Sequence, residues 1–568
     1  MGPVTSLSAD PFAARMQTRE VKWWGWGWDD QSRPIEGFPV LWTYLQQRLK
    51  IDPHIRRSVP PIGAVQIPPS LLSPDEISEL EKLVGEGNLS LEPRDRVSHA
   101  VGRSYKDLVR LRTGTLLRAP DAILFPEDEG AIRAVLEFAR RRRYAIVPFG
   151  GGTGVVGGVE PLADGTYAAS LTLDLRRMHR VKAIDEQSGL VVAEPGIRGP
   201  ILEEALAAKS LTLGHFPQSW EFSTLGGWIA TRAAGGLSNR YGRIDDLLVG
   251  LRLVAPARLL DVRALPGQDH GPDLKELVLG SEGILGVITE VTVRAHPLPA
   301  ARRFASRLFR SFEEGLAALR SMAREDALPD MTYLSDEEET RFMAAGRGIG
   351  PGGAGGAAGL ALKLLGLRGY RIEQGSLLLM GFEGARDRVA HQRRRALRLA
   401  RPAASLGAGS AKRWYAERFE IPYVRDSFLD HGILVDTVET AASWSNVLNV
   451  YHAGAKALQL ALWEDGGAGL VLCHVSHVYP DGASLYFTVY GVAREGQEVA
   501  QWETIKDAVT RAILDAGGAL SHHHGIGADH APYLGRVVGE DGLLVLRALK
   551  RELDPEGIMN PGKLVRAR

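Results

Sequence analysis

The stretch Pro148-Phe-Gly-Gly-Gly-Thr-Gly-Val-Val-Gly-Gly158 decides how the fold is read. It holds a literal G-x-G-x-x-G at Gly152, Gly154 and Gly157, with Asp174 about twenty residues on, the pattern of a dinucleotide-binding turn. Such a turn must open a helix whose N-terminus carries the pyrophosphate. Here Glu160-Pro-Leu-Ala-Asp-Gly165 is turn chemistry that leads into another apolar strand. The run therefore reads as a nest of backbone N–H groups lying directly against a diphosphate, with the Thr153 hydroxyl as a further donor.

Upstream of the loop, the apolar AILFP from Ala122 precedes a segment that puts Ile132, Val135, Leu136 and Ala139 on one helical face. A second apolar run, Tyr144 to Val147, enters the loop and completes a β-α-β unit. Apolar strands follow at 168–175, 190–193 and 248–254, and this lobe closes near His296 and Pro297. Two more stretches pair small residues with hydroxyls: Phe222-Ser-Thr-Leu-Gly-Gly227 with Thr231-Arg-Ala-Ala-Gly-Gly236, and Gly280-Ser-Glu-Gly-Ile-Leu-Gly-Val-Ile-Thr289. Small residues allow close approach to a flat ring or a sugar-phosphate.

A second lobe, roughly 301–500, alternates strand and long helix, then offers GLVLCHVSH and ASLYFTVYG joined through Tyr479-Pro-Asp-Gly482. That joint predicts an antiparallel hairpin. Between Met343 and Gly369 lies a glycine-dense, then apolar segment, read either as a mobile gate near a lipophilic substrate or as a plain surface loop. Residues up to about Leu117 read as an irregular extension with a Trp-rich start, VKWWGWGWDD. Its Trp23, Trp24, Trp26 and Trp28 either pack an arm onto the core or form a binding surface.

Composition narrows the field. With 568 residues the chain is too long for one core, and 45% hydrophobic with 24% charged residues is ordinary for a globular protein. Lys plus Arg equals Asp plus Glu at 68 each, so no net field draws the chain to nucleic acid. Cys473 is the single cysteine, which excludes an internal disulfide and a thiolate cluster. The opening MGPVTSLSADPFAARMQ lacks a secretory pattern and no run has the length of a membrane span, so a cytoplasmic location is expected. The Met-Gly start formally matches an acylation motif, which Pro3 and the lack of a basic patch argue against.

Ser521-His522-His523-His524-Gly525 sets three imidazoles ahead of a glycine turn. The nearest following carboxylate, Asp529, matches no familiar metal spacing, and His474 and His477, three apart, face opposite sides of a strand. No metal is expected, and acid/base work or anion binding is the better use of the run.

In order and over most of the chain, KWWGWGWDD, PFGGGTG, PQSWEFSTLGGWIATRA, GSEGILGVITE, PYVRD, GASLYF, SHHHGIG and LDPEGIMNPGKL resemble the alkyldihydroxyacetonephosphate synthases, within the vanillyl-alcohol-oxidase superfamily. The resemblance implies an α+β, two-lobed fold of vanillyl-alcohol-oxidase type. Its parts would be an N-terminal extension (1–117), an FAD-binding lobe (118–300), a substrate lobe with an antiparallel sheet under helices (301–510), and a C-terminal helical segment completing the site (511–568). It implies non-covalent FAD, because the glycine loop contains neither of the attachment residues, His or Cys. The FAD contacts are expected from Pro148, Phe149, Gly150, Gly151, Gly152, Thr153 and Gly154; from Gln218, Ser219, Ser223, Thr224, Thr231, Arg232, Ala233 and Ala234; and from Glu282, Gly283, Ile284, Leu285, Gly286, Val287 and Ile288.

The resemblance also gives Tyr486 as acid/base with His522, His523 and His524, and Arg425 as the holder of a substrate phosphate. In that family FAD traps the substrate covalently; the acyl group of acyl-dihydroxyacetone phosphate leaves, a fatty alcohol replaces it, and no net redox occurs. The alternative is an FAD-dependent oxidase or dehydrogenase of a hydroxy acid or alcohol. One departure favours it: in Pro329-Asp-Met-Thr-Tyr333-Leu-Ser-Asp336, Tyr333 replaces an arginine implicated in the family's activity. The expected partner is a lipid-like small molecule, with peripheral membrane contact and a homodimer left open.

Overall fold

The computed structural model describes residues 19–565 apart from 268, 270, 350–355 and 465–466. The N-terminal targeting and acylation readings, and part of the glycine-dense segment, lie outside the described residues.

The extension is far more regular than its punctuation suggests. Helices α1 (Pro39–Leu49), α2 (Pro74–Val84) and α3 (Tyr105–Thr113) run through it, and strand β1 (Leu89–Ser90) joins the next lobe's sheet. The missed signal is local. Ser73 and Glu76 cap α2 reciprocally, and Ser104 and Asp107 cap α3 in the same way. Each pair satisfies two free backbone N–H groups at a helix start, a contribution of about 1 kcal/mol or more. Proline at the start of α2 helps rather than hinders.

In the FAD lobe, β2 (Ala122–Leu124), α4 (Glu129–Arg142) and β3 (Ala145–Phe149) form the expected unit. Asp128 caps α4, which buries Ile132, Val135, Leu136 and Ala139 as their spacing predicts. Strand β4 (Ser170–Asp174) inserts between β2 and β3 and runs parallel to both, giving the order β1-β2-β4-β3. No helix opens between Gly150 and Ser170, so the dinucleotide-turn alternative fails on its required helix. A second sheet packs beside the first: β5 (Val181–Asp185), β6 (Leu190–Ala193), β7 (Leu248–Val254), β8 (Leu259–Val262) and β9 (Val287–Arg294), in the order β5-β6-β9-β7-β8, all antiparallel.

The substrate lobe is built on a seven-stranded sheet. Its strands are β10 (Ala301–Phe309), β11 (Met331–Ser335), β12 (Ser376–Gly384), β13 (Ala404–Ser405), β14 (Ile433–Ser443), β15 (Leu470–Val475) and β16 (Gly482–Val492), in the order β13-β10-β12-β11-β15-β16-β14. The predicted hairpin is there, β15 against β16, but β15 stops at Val475 and leaves His477 in the connection. Pairing of β14 with β16 over its whole length sets Glu439 directly opposite Tyr486.

One core joins the extension to this lobe. Trp23, Leu41, Leu45 and Leu108 bury with Phe309, Phe382 and Phe487. Trp26 and Trp28 instead close on Phe222 of the FAD lobe and on Tyr423. The tryptophans thus pack an arm across both lobes.

Candidate active site

The three small-residue stretches meet in space. Gly150 and Gly151 press on the second stretch so closely that a Cβ at Gly151 would collide with the Phe222 carbonyl and one at Gly150 with the Thr224 hydroxyl. Gly152 has φ +62°, a backbone conformation that costs glycine nothing. The second and third stretches are tied by Gly280 N–H to the Ile229 carbonyl at 3.0 Å and Glu282 N–H to the Ala230 carbonyl at 2.8 Å. Gly283 lies against Pro148, closing the ring. A Cβ at Gly154 would meet nothing within 4 Å, so open space lies beside its Cα, while its carbonyl accepts from Arg103 N–H at 2.8 Å.

Individual residues take distinct places around this cradle. Pro148 and Phe149 end β3, Thr224 caps the short helix Leu225–Thr231, and Arg232 follows that helix with φ +54° beside Ala233 and Ala234. The Ser223 hydroxyl accepts from Trp228 Nε1 at 2.7 Å, and the Thr231 hydroxyl donates to the Gly227 carbonyl at 3.0 Å. Gln218 donates to the Arg418 carbonyl, and the Ser219 carbonyl accepts from the Ser223 hydroxyl at 2.9 Å. Ile284, Leu285 and Gly286 lead into β9, which starts with Val287 and Ile288. The Arg232 guanidinium turns away to Glu276 at 2.5 Å. The Glu282 carboxyl accepts from Ile526 N–H at 2.5 Å and Gly527 N–H at 2.7 Å, and burial pushes it up to about 7. Glu282 therefore pins the imidazole loop onto the FAD lobe.

From the other side, that loop hangs on Glu439. Its Oε1 accepts from the Ser521 hydroxyl at 2.7 Å and from the N–H groups of His523 at 3.2 Å and His524 at 2.9 Å; its Oε2 accepts from His522 N–H at 2.6 Å. Burial alone would raise this carboxyl. The imidazoles of His523, His524 and His522, with the backbone donors, hold it well below the usual carboxylate range. Burial in turn depresses His523 and His524 to about 4 despite Glu439, so both are neutral proton acceptors at neutral pH.

Tyr486 stands among these rings, stacked on His523 at 5.9 Å and edge-on to His524 at 5.5 Å. Burial pushes its phenol up to about 12; Glu439 and Asp436 add to the rise, while the Thr437 hydrogen bond and the Arg425 charge oppose it. Its other face stacks on His474 at 4.9 Å, which stacks on Tyr333 at 4.2 Å. Tyr333 donates to Glu339 at 2.6 Å, and His474 Nδ1 lies 3.1 Å from the same carboxylate. A neutral phenol thus fills the place expected of a guanidinium.

Arg425 lies in the helix Val424–Asp430 and donates through Nη1 to the Arg103 carbonyl at 2.8 Å. Its Nε and Nη2 are shielded from solvent and have no hydrogen-bond partner among the described residues. Burial lowers its pKa, and neighbouring Asp426 opposes the shift. Asp426 is neutralised by Lys22 Nζ at 3.0 Å and accepts from Trp26 N–H at 3.1 Å. The Trp-rich arm therefore braces the helix that carries the free guanidinium.

Sequence reasoning collected Tyr486, His522, His523, His524 and Arg425, and the fold brings all five to the seam between the lobes. It gave no role to Glu439, Asp426, Lys22 or His474. Glu439 left one trace, an acid that shares the strand-like ILVDTVET with Asp436. Lys22 and Asp426 left none, being about four hundred residues apart in the chain.

Residues 120–258 match the family described as FAD binding domain, and residues 298–564 match FAD linked oxidases, C-terminal domain. The chain is 32% identical to the alkyldihydroxyacetonephosphate synthase of Trypanosoma brucei brucei, covering 96% of this chain and 92% of that protein. It belongs to the alkyldihydroxyacetonephosphate synthase family. A relative of the same name from Dictyostelium discoideum is also 32% identical, over 96% of this chain and 94% of its own. A solved alkyldihydroxyacetonephosphate synthase superposes with a TM-score of 0.82 at 29% identity, covering 95% of this chain and 98% of that one. FAD is the cofactor of this synthase-family fold, and the open space beside the Gly154 Cα, in the loop whose Gly150 and Gly151 are pressed on the second stretch, fits a diphosphate.

Proposed function

We propose that this chain is a flavin-dependent synthase that exchanges the acyl group of acyl-dihydroxyacetone phosphate for a fatty alcohol, in ether-lipid formation. The observation that carries the reading is Arg425: a buried guanidinium, electrostatically coupled to Tyr486, whose Nε and Nη2 have no hydrogen-bond partner among the described residues, is a donor pair suited to a phosphate. Bound FAD supplies the isoalloxazine at which the substrate carbon changes its substituent. Arg425 orients the phosphate, Tyr486 relays the C1 proton, and His523 or His524 accepts it, because a phenol held near 12 cannot act as a base unaided. Anaerobic mixing with palmitoyl-dihydroxyacetone phosphate tests this: flavin bleaching reversed by a fatty alcohol is expected.

Tyr333 supports the second reading, an oxidase or dehydrogenase, since losing a fixed cation changes both substrate binding and flavin electronics. Bleaching reversed only by an oxidant selects it. FAD is held without a covalent link, so acid precipitation leaves the yellow colour in solution.

We further place the enzyme in the cytoplasm, in peripheral contact with anionic membrane. Arg303, Arg307, Arg386, Arg393, Arg394 and Arg401 line one open groove, and none ion-pairs with a carboxylate among the described residues. Leu360, Leu364 and Leu367 are exposed at helical spacing. Sedimentation with phosphatidylglycerol vesicles but not with phosphatidylcholine vesicles is expected; equal recovery in both supernatants removes the membrane reading.

A further inference from the structure

The loop of three histidines has a fourth imidazole beside it that the reaction above does not use. His477 sits in the connection between β15 and β16, and the fold carries it to the seam opposite His522 and His523. One ring nitrogen from each of the three lies within 4.8 Å of the others. The ring centroids are 4.9 Å apart for His477 and His522, 5.5 Å for His477 and His523, and 5.1 Å for His522 and His523. Three imidazoles placed tetrahedrally around one Zn²⁺, with Zn–N bonds of about 2.05 Å, have centroids about 5.2 Å apart. The spacing of this trio is that of a half-built metal site.

The outer nitrogens of His477 and His522 are held as those of metal-binding imidazoles usually are, by a protein group that fixes the ring. His477 has Nε2 3.2 Å from the Gly235 carbonyl and Nδ1 3.0 Å from the Ser476 hydroxyl, so whichever nitrogen turns to the metal, the other keeps a partner. His522 Nε2 faces the Tyr479 hydroxyl, and its Nδ1 shares a 2.8 Å hydrogen bond with His523 Nδ1, which a cation between the rings would replace. The Glu439 carboxylate, 3.6 Å from His523 Nδ1, adds the negative charge that a cation favours. Sequence spacing hides this set, because its third member arrives from another strand connection.

We propose that His477, His522 and His523 form a three-imidazole site for a zinc-like divalent cation. Occupying it takes the lone pair of His523, one of the two imidazoles that accept the proton, and leaves only His524, so bound metal slows turnover; that consequence rests on the synthase reading above.

Chelator-stripped, FAD-loaded enzyme dialysed against Zn²⁺ tests the site by elemental analysis and zinc X-ray absorption. One zinc per chain with an imidazole nitrogen shell at about 2.0–2.1 Å is expected. His477→Ala, and His477→Gln as a variant that keeps a donor for Gly235, should weaken zinc binding about tenfold or more while FAD content and metal-free turnover persist. Substoichiometric zinc in the parent, or equal zinc affinity in both variants, overturns the site. Stoichiometric zinc with undiminished turnover keeps the site and leaves His524 as the proton acceptor, so the two readings fail separately.

Discussion

The FAD cradle and the imidazole seam are built on opposite plans. The cradle is backbone chemistry: three short stretches whose small residues let main chains touch, each visible as a motif in consecutive positions. The seam is side-chain chemistry assembled from β14, β16, the loop after β15, the C-terminal loop and the N-terminal arm. A backbone site is thus written locally, and a proton-transfer site only in the register of strands.

This contrast breaks most sharply at Gly151. A side chain there has nowhere to go, since its Cβ meets the Phe222 carbonyl rather than a flexible end. Gly151→Val should yield a folded protein lacking FAD, read as lost flavin absorbance with the substrate lobe's circular dichroism retained. Full flavin content in that variant would mean that the cradle does not hold the cofactor.

The next largest effect belongs to the seam. Tyr486→Phe keeps ring and stacking on His474 and His523 but deletes the hydroxyl, so FAD stays and turnover falls on the order of a hundredfold or more. Near-normal kcat would move the base to the imidazoles alone. Arg425→Lys is milder. A point charge cannot reproduce a two-pronged donor, so KM for the phosphorylated substrate should rise on the order of tenfold, about 1.4 kcal/mol, with kcat less affected. An unchanged KM would remove Arg425 from the phosphate.

How far the sequence could be read follows the same division. The helix α4, the strand before the glycine loop and the β15–β16 hairpin were legible because hydrophobic period and turn chemistry act over a few residues. The helices of the extension were misread as irregular, although Ser73 with Glu76 and Ser104 with Asp107 announced them; the prolines drew attention from the caps. Glu439 could not be assigned, since its partners lie about eighty residues away in the chain and the β14–β16 pairing alone sets it across from Tyr486. Tyr333 was legible as a substitution, but its tie to Glu339 and its stack on His474 were not.

The smallest effect is a pH dependence of the seam itself. His523 and His524 are held near 4 in the folded chain by burial, against about 6.5 for an exposed imidazole. Between those values the unfolded chain binds more protons than the folded one, so stability rises with pH. The stabilisation is complete above about pH 6.5 and is lost as pH falls toward about 4, at roughly 1 kcal/mol per imidazole between about pH 7 and about pH 5.5. The Glu439 carboxyl, held well below its usual range, acts in the same sense at still lower pH. The thermal midpoint should therefore drop on mild acidification, and amide exchange in 521–527 should accelerate before that of the glycine loop. His523→Gln, which cannot protonate, should flatten the midpoint's pH profile. A midpoint that stays constant as pH falls from about 7 to about 5 would show that folding leaves these imidazoles unshifted, and one that rises would show that the folded protein favours their charged form, against a role as neutral proton acceptors.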